Sequence, residues 1–164
     1  MRARPASPAD AEAIAHIYNE GIEDRVATFE TRPRGPEDVR TWFDGIHPIV
    51  VVEDERGVVA FASTSTYRPR ECYAGIAEFS VYVARDGRGR GAGRVAMEAL
   101  IREAERAGFW KLVSRVFVEN EPSLRLLRSL GFREVGLYEK HARLDGAWRD
   151  VMIVERLLPS NLAP

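Results

Sequence analysis

The chain has 164 residues, with 24 basic against 25 acidic side chains for a formal net charge of −1, and a single cysteine, Cys72. That length supports one domain, spanning 1–164, with its own core and no disulfide staple. Near-neutral charge argues against a binder held mainly by nucleic-acid phosphates, and one cysteine excludes an internal disulfide or a cysteine-built zinc site; no metal is expected. The opening MRARPASPADAEAIAHI has no long apolar run to act as a signal or anchor, so a cytoplasmic protein with no membrane partner is expected.

Ser7, Pro8 and Asp10 read as an N-cap, a first-turn proline and an acidic third residue, followed at helical spacing by Ala11, Ile14, Ala15, Ile17, Tyr18 and Ile22. This predicts a helix to about Glu23. Residues 24–34 carry no clear period, and Pro36, Glu37 and Asp38 open a short second helix through Val39, Trp42 and Phe43. PIVVVED (48–54) and GVVAFASTSTY (57–67) read as a β-hairpin joined at 55–57. After a linker at 68–72 comes a strand over 75–83, then a Gly/Arg loop and a helix from about Ala92 with Val95, Ala96, Ala99, Leu100 and Ala104 inward, ended by Gly108. WKLVSRVFV (110–118) is another strand. Asn120, Pro122 and Ser123 start a helix whose Leu124, Leu127 and Leu130 face inward before Gly131 stops it. Two last strands, about 132–144 and 147–157, meet at Asp145-Gly146, a strong hairpin signal.

The loop between strand 75–83 and the helix at Ala92 is the most informative segment. Its glycines, Gly89, Gly91 and Gly93, remove side chains where a backbone must turn tightly and approach a ligand, and the helix start aims unpaired amides and a positive dipole end at the same place. An anionic ligand, a pyrophosphate above all, suits it. The loop lacks the lysine of a nucleotide-triphosphate loop, and its glycines fall as GxGxG rather than GxGxxG. A plain Arg/Gly turn, or a short RGG-like patch touching RNA, is the alternative reading. Only Lys111 and Lys140 among the basic residues are lysines, so abundance alone gives no arginine a role.

Arg88-x-x-Gly91-x-Gly93 resembles the acetyl-coenzyme A loop of the GNAT superfamily of N-acetyltransferases, and the order β-α-α-β-β-β-α-β-α-β-β resembles its fold over essentially the whole chain. The implied architecture is α/β (α+β): a single mixed central sheet of about seven strands flanked by about four helices. IYNEGIEDRVATFETRPR, ECYAGIAEFSVYV, ENEPSLRLLRSLGF and KHARLDGAWRDV look like the branch that acetylates phosphinothricin, arsinothricin and methionine sulfoximine. The resemblance implies acetyl-CoA as co-substrate, a small-molecule amine as acceptor, and a homodimer.

It also implies roles. The backbone of Val81, Tyr82 and Val83 would pair with the pantetheine arm, Arg88, Gly89, Arg90, Gly91, Ala92 and Gly93 would cradle the pyrophosphate, and Asn120 and Ser123 would contact the cofactor arm. Glu78 matches the branch's general base. Alternation puts it on one side with Ser80 and Tyr82, opposite Phe79, Val81 and Val83. An acid in mid-strand of a central element is unusual; the other readings are a solvated sheet face or an ion pair with a neighbouring arginine. Arg70 and Tyr73 in the linker, and Phe29 and Glu30 in the early TFE segment, resemble substrate-side residues, with a solvated surface as the alternative. Leu127 stands where the family often has tyrosine and the branch often histidine. The general acid is therefore unassigned, with solvent, Tyr138 and His141 as candidates. A polyamine or protein N-terminal acetyltransferase and a silent acyl-CoA binding regulator are the competing functions.

Overall fold

A computed structural model describes residues 1–164. The chain opens with the first strand of the expected order, β1 (Arg2–Pro5), then a 3-10 turn (Pro8–Asp10) and helix α1 (Ala11–Asp24). The Ser7 backbone N–H donates to Asp10 Oδ2 at 2.9 Å, so the cap is present, but its first turn is 3-10 and the α-helix begins at Ala11. Helix α2 covers Pro36–Arg40 and is shorter than expected. Trp42 leaves the helical path to set its ring edge-on to Tyr18 (centroids 5.5 Å) and against Phe61 (6.2 Å), so tertiary packing overrides a weak local preference.

There follow β2 (Ile49–Asp54), β3 (Gly57–Thr66), a 3-10 turn (Glu71–Tyr73), β4 (Ile76–Val83), α3 (Ala92–Arg106), β5 (Lys111–Phe117), α4 (Glu121–Ser129), β6 (Arg133–Leu144) and β7 (Ala147–Leu157). They form one seven-stranded sheet in the order β1-β2-β3-β4-β5-β7-β6. Only β4 and β5 run parallel, as a crossover through α3 requires. Strand alternation sorts the apolar residues into two layers. Val50, Val52, Ala60, Ala62, Phe79 and Leu112 pack with α3 and α4, while Val51 and Phe61 pack with α1 and Val39 of α2. Burying a side chain such as Phe79, which also meets Phe132 at 5.0 Å, stabilises by about 1.5–3 kcal/mol.

One irregularity positions everything functional. The parallel pairing runs only through Ile76↔Lys111, Ala77↔Leu112 and Glu78↔Val113, although β5 stays paired with β7 out to Phe117 and β4 with β3 out to Val83. From Phe79 onward the two central strands part. Ser114 Oγ donates to the Phe79 carbonyl at 2.8 Å, satisfying the first acceptor beyond the fork.

Candidate active site

The fork opens into a cleft of ≈ 740 Å³ on the α1–α2 face of the sheet. Glu78, Ser80 and Tyr82 of β4 line it together, as the period of two requires, while the Phe79 side chain packs into the opposite layer. A narrower crevice of ≈ 50 Å³ runs between the parted strands, lined by Val81, Tyr82, Asn120, Ser123 and Leu127, and it shares Ser80, Ser114 and Arg115 with the cleft. The β5-facing backbone of β4 beyond the fork is an open strand edge, free to pair with an extended ligand as an added strand would.

Glu78 sits at the vertex. Arg115 donates to its Oε1 from Nη2 at 2.7 Å and from Nε at 3.1 Å, leaving Oε2 without a protein partner. The ion-pair reading and the cleft reading of Glu78 thus hold together. Above it, Tyr18 and Tyr82 lie 5.2 Å apart, ring centre to ring centre. Burial pushes both phenols up, Tyr82 most, and Thr28 compensates part of that cost for each. Both stay protonated throughout the neutral range. Tyr82 fits because Gly21 of α1 has no side chain: a Cβ there would stand 2.7 Å from the Tyr82 ring.

The Gly/Arg loop meets α3 at Gly91, whose φ of +85° is a left-handed conformation, as is that of Gly89 at +79°. A Cβ at either would meet no protein atom within 4 Å. No protein acceptor engages any backbone N–H from Arg88 to Arg94, so the loop and the first turn of α3 present a row of free donors at the positive end of a helix. A phosphate group fits such a row. Gly93, besides its free amide, has a packing job. It is helical, and an added Cβ would lie 3.3 Å from Leu126 and 3.5 Å from Val83, so it lets α3 pack closely on α4 and β4. Arg88 and Arg90 carry acidic partners, with Arg88 Nη2 2.6 Å from Asp24 Oδ2 and Arg90 Nη2 3.3 Å from Asp54 Oδ2. Burial raises the Asp24 carboxyl, but the guanidinium hydrogen bonds outweigh it and the carboxyl lies below the usual range.

Phe29 and Glu30 line the cleft as the early segment implied, Phe29 by packing edge-on against Phe117 at 4.7 Å. Arg70 and Tyr73 do not line it. They lie on the exposed turn after β3, where Tyr73 packs against Tyr67. Cys72 is exposed on that turn. Asn120 accepts from the Ser123 N–H at 3.4 Å, so it caps α4 and faces the crevice at once. Leu127 is fully buried in the α3–α4 core. Neither Tyr138 nor His141 lines the cleft; the two rings pack at a tilt with centres 4.9 Å apart, and His141 lies 6.5 Å from Phe29.

Sequence reasoning passed over Tyr18, Thr28, Asp44 and Arg115. Arg115 carried a usable signal, being a charged residue in mid-strand like Glu78, but it was lost among many arginines. The others sit where only tertiary packing brings them to the cleft.

An open sheet edge beside a carboxylate, next to a loop of free amides, leaves room for an extended anionic ligand laid along β4. The sequence matches the acetyltransferase (GNAT) family over residues 13–132, and the chain belongs to that family of acetyl-CoA-dependent N-acetyltransferases. It is 34% identical over 167 residues to the L-methionine sulfoximine/L-methionine sulfone acetyltransferase of Pseudomonas aeruginosa, covering 98% of this chain and 97% of that protein. Among solved structures it is similar to a GNAT superfamily phosphinothricin acetyltransferase from Sinorhizobium meliloti in complex with acetyl-CoA (31% identity, TM-score 0.91, 99% of this chain and 90% of that one). It is also similar to a ribosomal-protein-alanine N-acetyltransferase from Brucella melitensis (32% identity, TM-score 0.91, 96% and 100%). No helix is long and apolar enough to cross a membrane.

Proposed function

We propose that this chain transfers the acetyl group of acetyl-CoA to the primary amine of a small amino acid analogue of the phosphinothricin, arsinothricin or methionine sulfoximine type, by direct attack in a ternary complex in the cytoplasm. The observation that carries it is the Glu78 carboxylate at the vertex of the fork, with one oxygen unpartnered and facing a cleft sized for a small molecule. Acetyl-CoA supplies the activated thioester. The free amides of Arg88 through Gly93 receive its pyrophosphate, the open edge at Val81, Tyr82 and Val83 pairs with the pantetheine arm, and Asn120 and Ser123 hold that arm from the α4 side.

Glu78 Oε2 accepts the proton from the incoming ammonium, directly or through one water, so that a neutral amine attacks. A backbone N–H on the open edge of β4 donates to the carbonyl oxygen as it gains charge. With Leu127 apolar and buried, the departing thiolate takes its proton from solvent in the open crevice, and the proton that the nitrogen sheds on becoming an amide returns to the same water. Phe29 and Glu30 shape the acceptor side, and a second copy of the chain packs on the C-terminal hairpin to form a homodimer.

The similarity to a ribosomal-protein-alanine acetyltransferase favours one second reading, a protein N-terminus as acceptor. A panel of phosphinothricin, arsinothricin, methionine sulfoximine, methionine sulfone, spermidine and an alanine-terminated peptide, assayed for coenzyme A release, separates them. Turnover of the amino acid analogues is expected. Reaction with the peptide alone overturns the proposal.

A further inference from the structure

We propose that Arg115 is the anchor for the carboxylate of the amino acid substrate, and thereby the residue that makes this cleft select α-amino acids over simple amines. This rests on the small amino acid reading above. The charged side chains that line the cleft are Glu30, Asp44, Glu78 and Arg115, three carboxylates and one cation. An α-amino acid brings a carboxylate next to its ammonium, and in such a cleft an unanswered anion would be repelled. Two of the acids already have partners from outside the cleft: the Arg34 guanidinium Nη2 reaches Glu30 Oε2 at 2.9 Å, and Asp44 is hydrogen-bonded to His47 Nδ1 at 2.6 Å and to the Ile46 and His47 amides. Arg115 is the lining cation left to meet the substrate.

Its geometry suits the task. Nε and Nη2 are engaged by Glu78 Oε1, whereas Nη1 has no protein partner, and the side chain is 49% exposed. The outer edge of the guanidinium fork, Nη1 with Nη2, is therefore presented to the cleft for two parallel hydrogen bonds to a carboxylate. Arg115 also walls both the cleft and the crevice, at the junction where an amine must meet the acyl carbon. Because the same guanidinium holds Glu78 from its inner edge, one residue sets the distance between substrate carboxylate and base. An α-amino acid whose carboxylate accepts from Nη1 and Nη2 has its amine delivered to Glu78 Oε2, while an amine without a neighbouring carboxylate has no such register.

The test compares two acceptors, methionine sulfone and the same molecule lacking its carboxylate, in wild type, Arg115→Ala and Arg115→Lys. Acetyl-CoA affinity by calorimetry and the thermal midpoint report that each variant is folded and loaded. Arg115→Ala is expected to raise KM for methionine sulfone by about 10- to 100-fold, the range for losing hydrogen bonds to a charged group, and to change KM for the carboxylate-free amine by less than about 3-fold. Arg115→Lys, which keeps the charge but not the fork, should recover part of the loss. Equal losses on both acceptors, or a loss in kcat with KM unchanged for both, would show that Arg115 only positions Glu78 and would overturn the proposal. If wild type acetylates neither acceptor but does acetylate the peptide, it is the small amino acid reading that fails. A folded Arg115→Ala with wild-type KM for methionine sulfone removes the anchor and leaves that reading standing.

Discussion

Glu78 has one oxygen bonded to Arg115 and the other open to the cleft, a division that lets a carboxylate be held in place and still take a proton. Glu78→Gln keeps the shape and the Arg115 contact but cannot accept that proton. Acetyl-CoA affinity should stay at the wild-type value while kcat falls by about 10²-fold or more at neutral pH. The defect should shrink as pH rises toward the pKa of the substrate ammonium, because more of the amine is then already neutral. A pH profile of kcat/KM for both proteins checks this, and a loss of constant size at every pH would reassign Glu78 to substrate positioning. Asp44, on the opposite wall, is held differently. Burial pushes its carboxyl up, but the His47 and Ile46 amides, each 2.8 Å from Oδ1, and the His47 ring outweigh that and bring it down to about 2. A folded-state value below the unfolded value near 3.9 means stability that is complete above about pH 4 and lost as pH falls toward about 2. The group is partly exposed, so solvent screening trims the effect. Asp44→Asn should lower the thermal midpoint at pH 7 by about 2–4 °C, and the two melting curves should converge near about pH 2. Glu78 was legible in the sequence because an acid in the middle of AEFSVYV contradicts its surroundings. Gly21 and Tyr82 were not paired by the sequence, since nothing local says that a helix glycine lies under a strand tyrosine sixty residues on.

The loop that opens α3 works as an element, through backbone more than side chains. Gly91 at φ +85° turns the chain so that the following amides point outward, with nothing within 4 Å of where its Cβ would be. A β-branched residue is strained in that region and would place methyl groups in the space left for a phosphate. Gly91→Val should therefore abolish acetyl-CoA binding in titration calorimetry, with a thermal midpoint lowered by several degrees but a cooperative unfolding transition retained. Unchanged affinity would make the loop a simple turn. This element was legible because its cues are local: glycines, a strand before it and a helical period after it. Gly93 shows the limit, since the same residue type in the same run serves packing against Leu126 and Val83. Helix α2 shows another: Trp42 is drawn to Tyr18 and Phe61, and no local pattern announces that pull. Arg70 and Tyr73 lie on a turn whose direction depends on the ends of β3 and β4, so similarity of sequence context did not place them in the cleft.

At the scale of the molecule, the sheet ends on β6, a twelve-residue outer strand that leaves large apolar side chains exposed among its charged ones. Val135 and Leu137 are each 44% exposed, Tyr138 51%, and Trp148 on the adjoining β7 52%, with the Arg143 guanidinium 4.7 Å over its ring. A long outer strand with such residues is a template for association unless something limits it. Here register shifts between Glu134 and Gly136 and between Tyr138 and Ala142, with Lys140 at φ +49°, break the edge into short runs that cannot extend into an open-ended sheet. A closed pair meeting along the β6 edge, with Leu137 on one face of the strand and Tyr138 on the other, is expected because it hides these apolar side chains without propagating. Wild type should elute with the mass of two chains in size-exclusion light scattering at micromolar concentration. Leu137→Asp combined with Tyr138→Asp, which buries two unpaired charges in the contact but leaves the exposed face of a monomer soluble, should elute with the mass of one. A monomeric wild type at that concentration, or a dimer indifferent to both charges, would place the partner surface elsewhere or remove it.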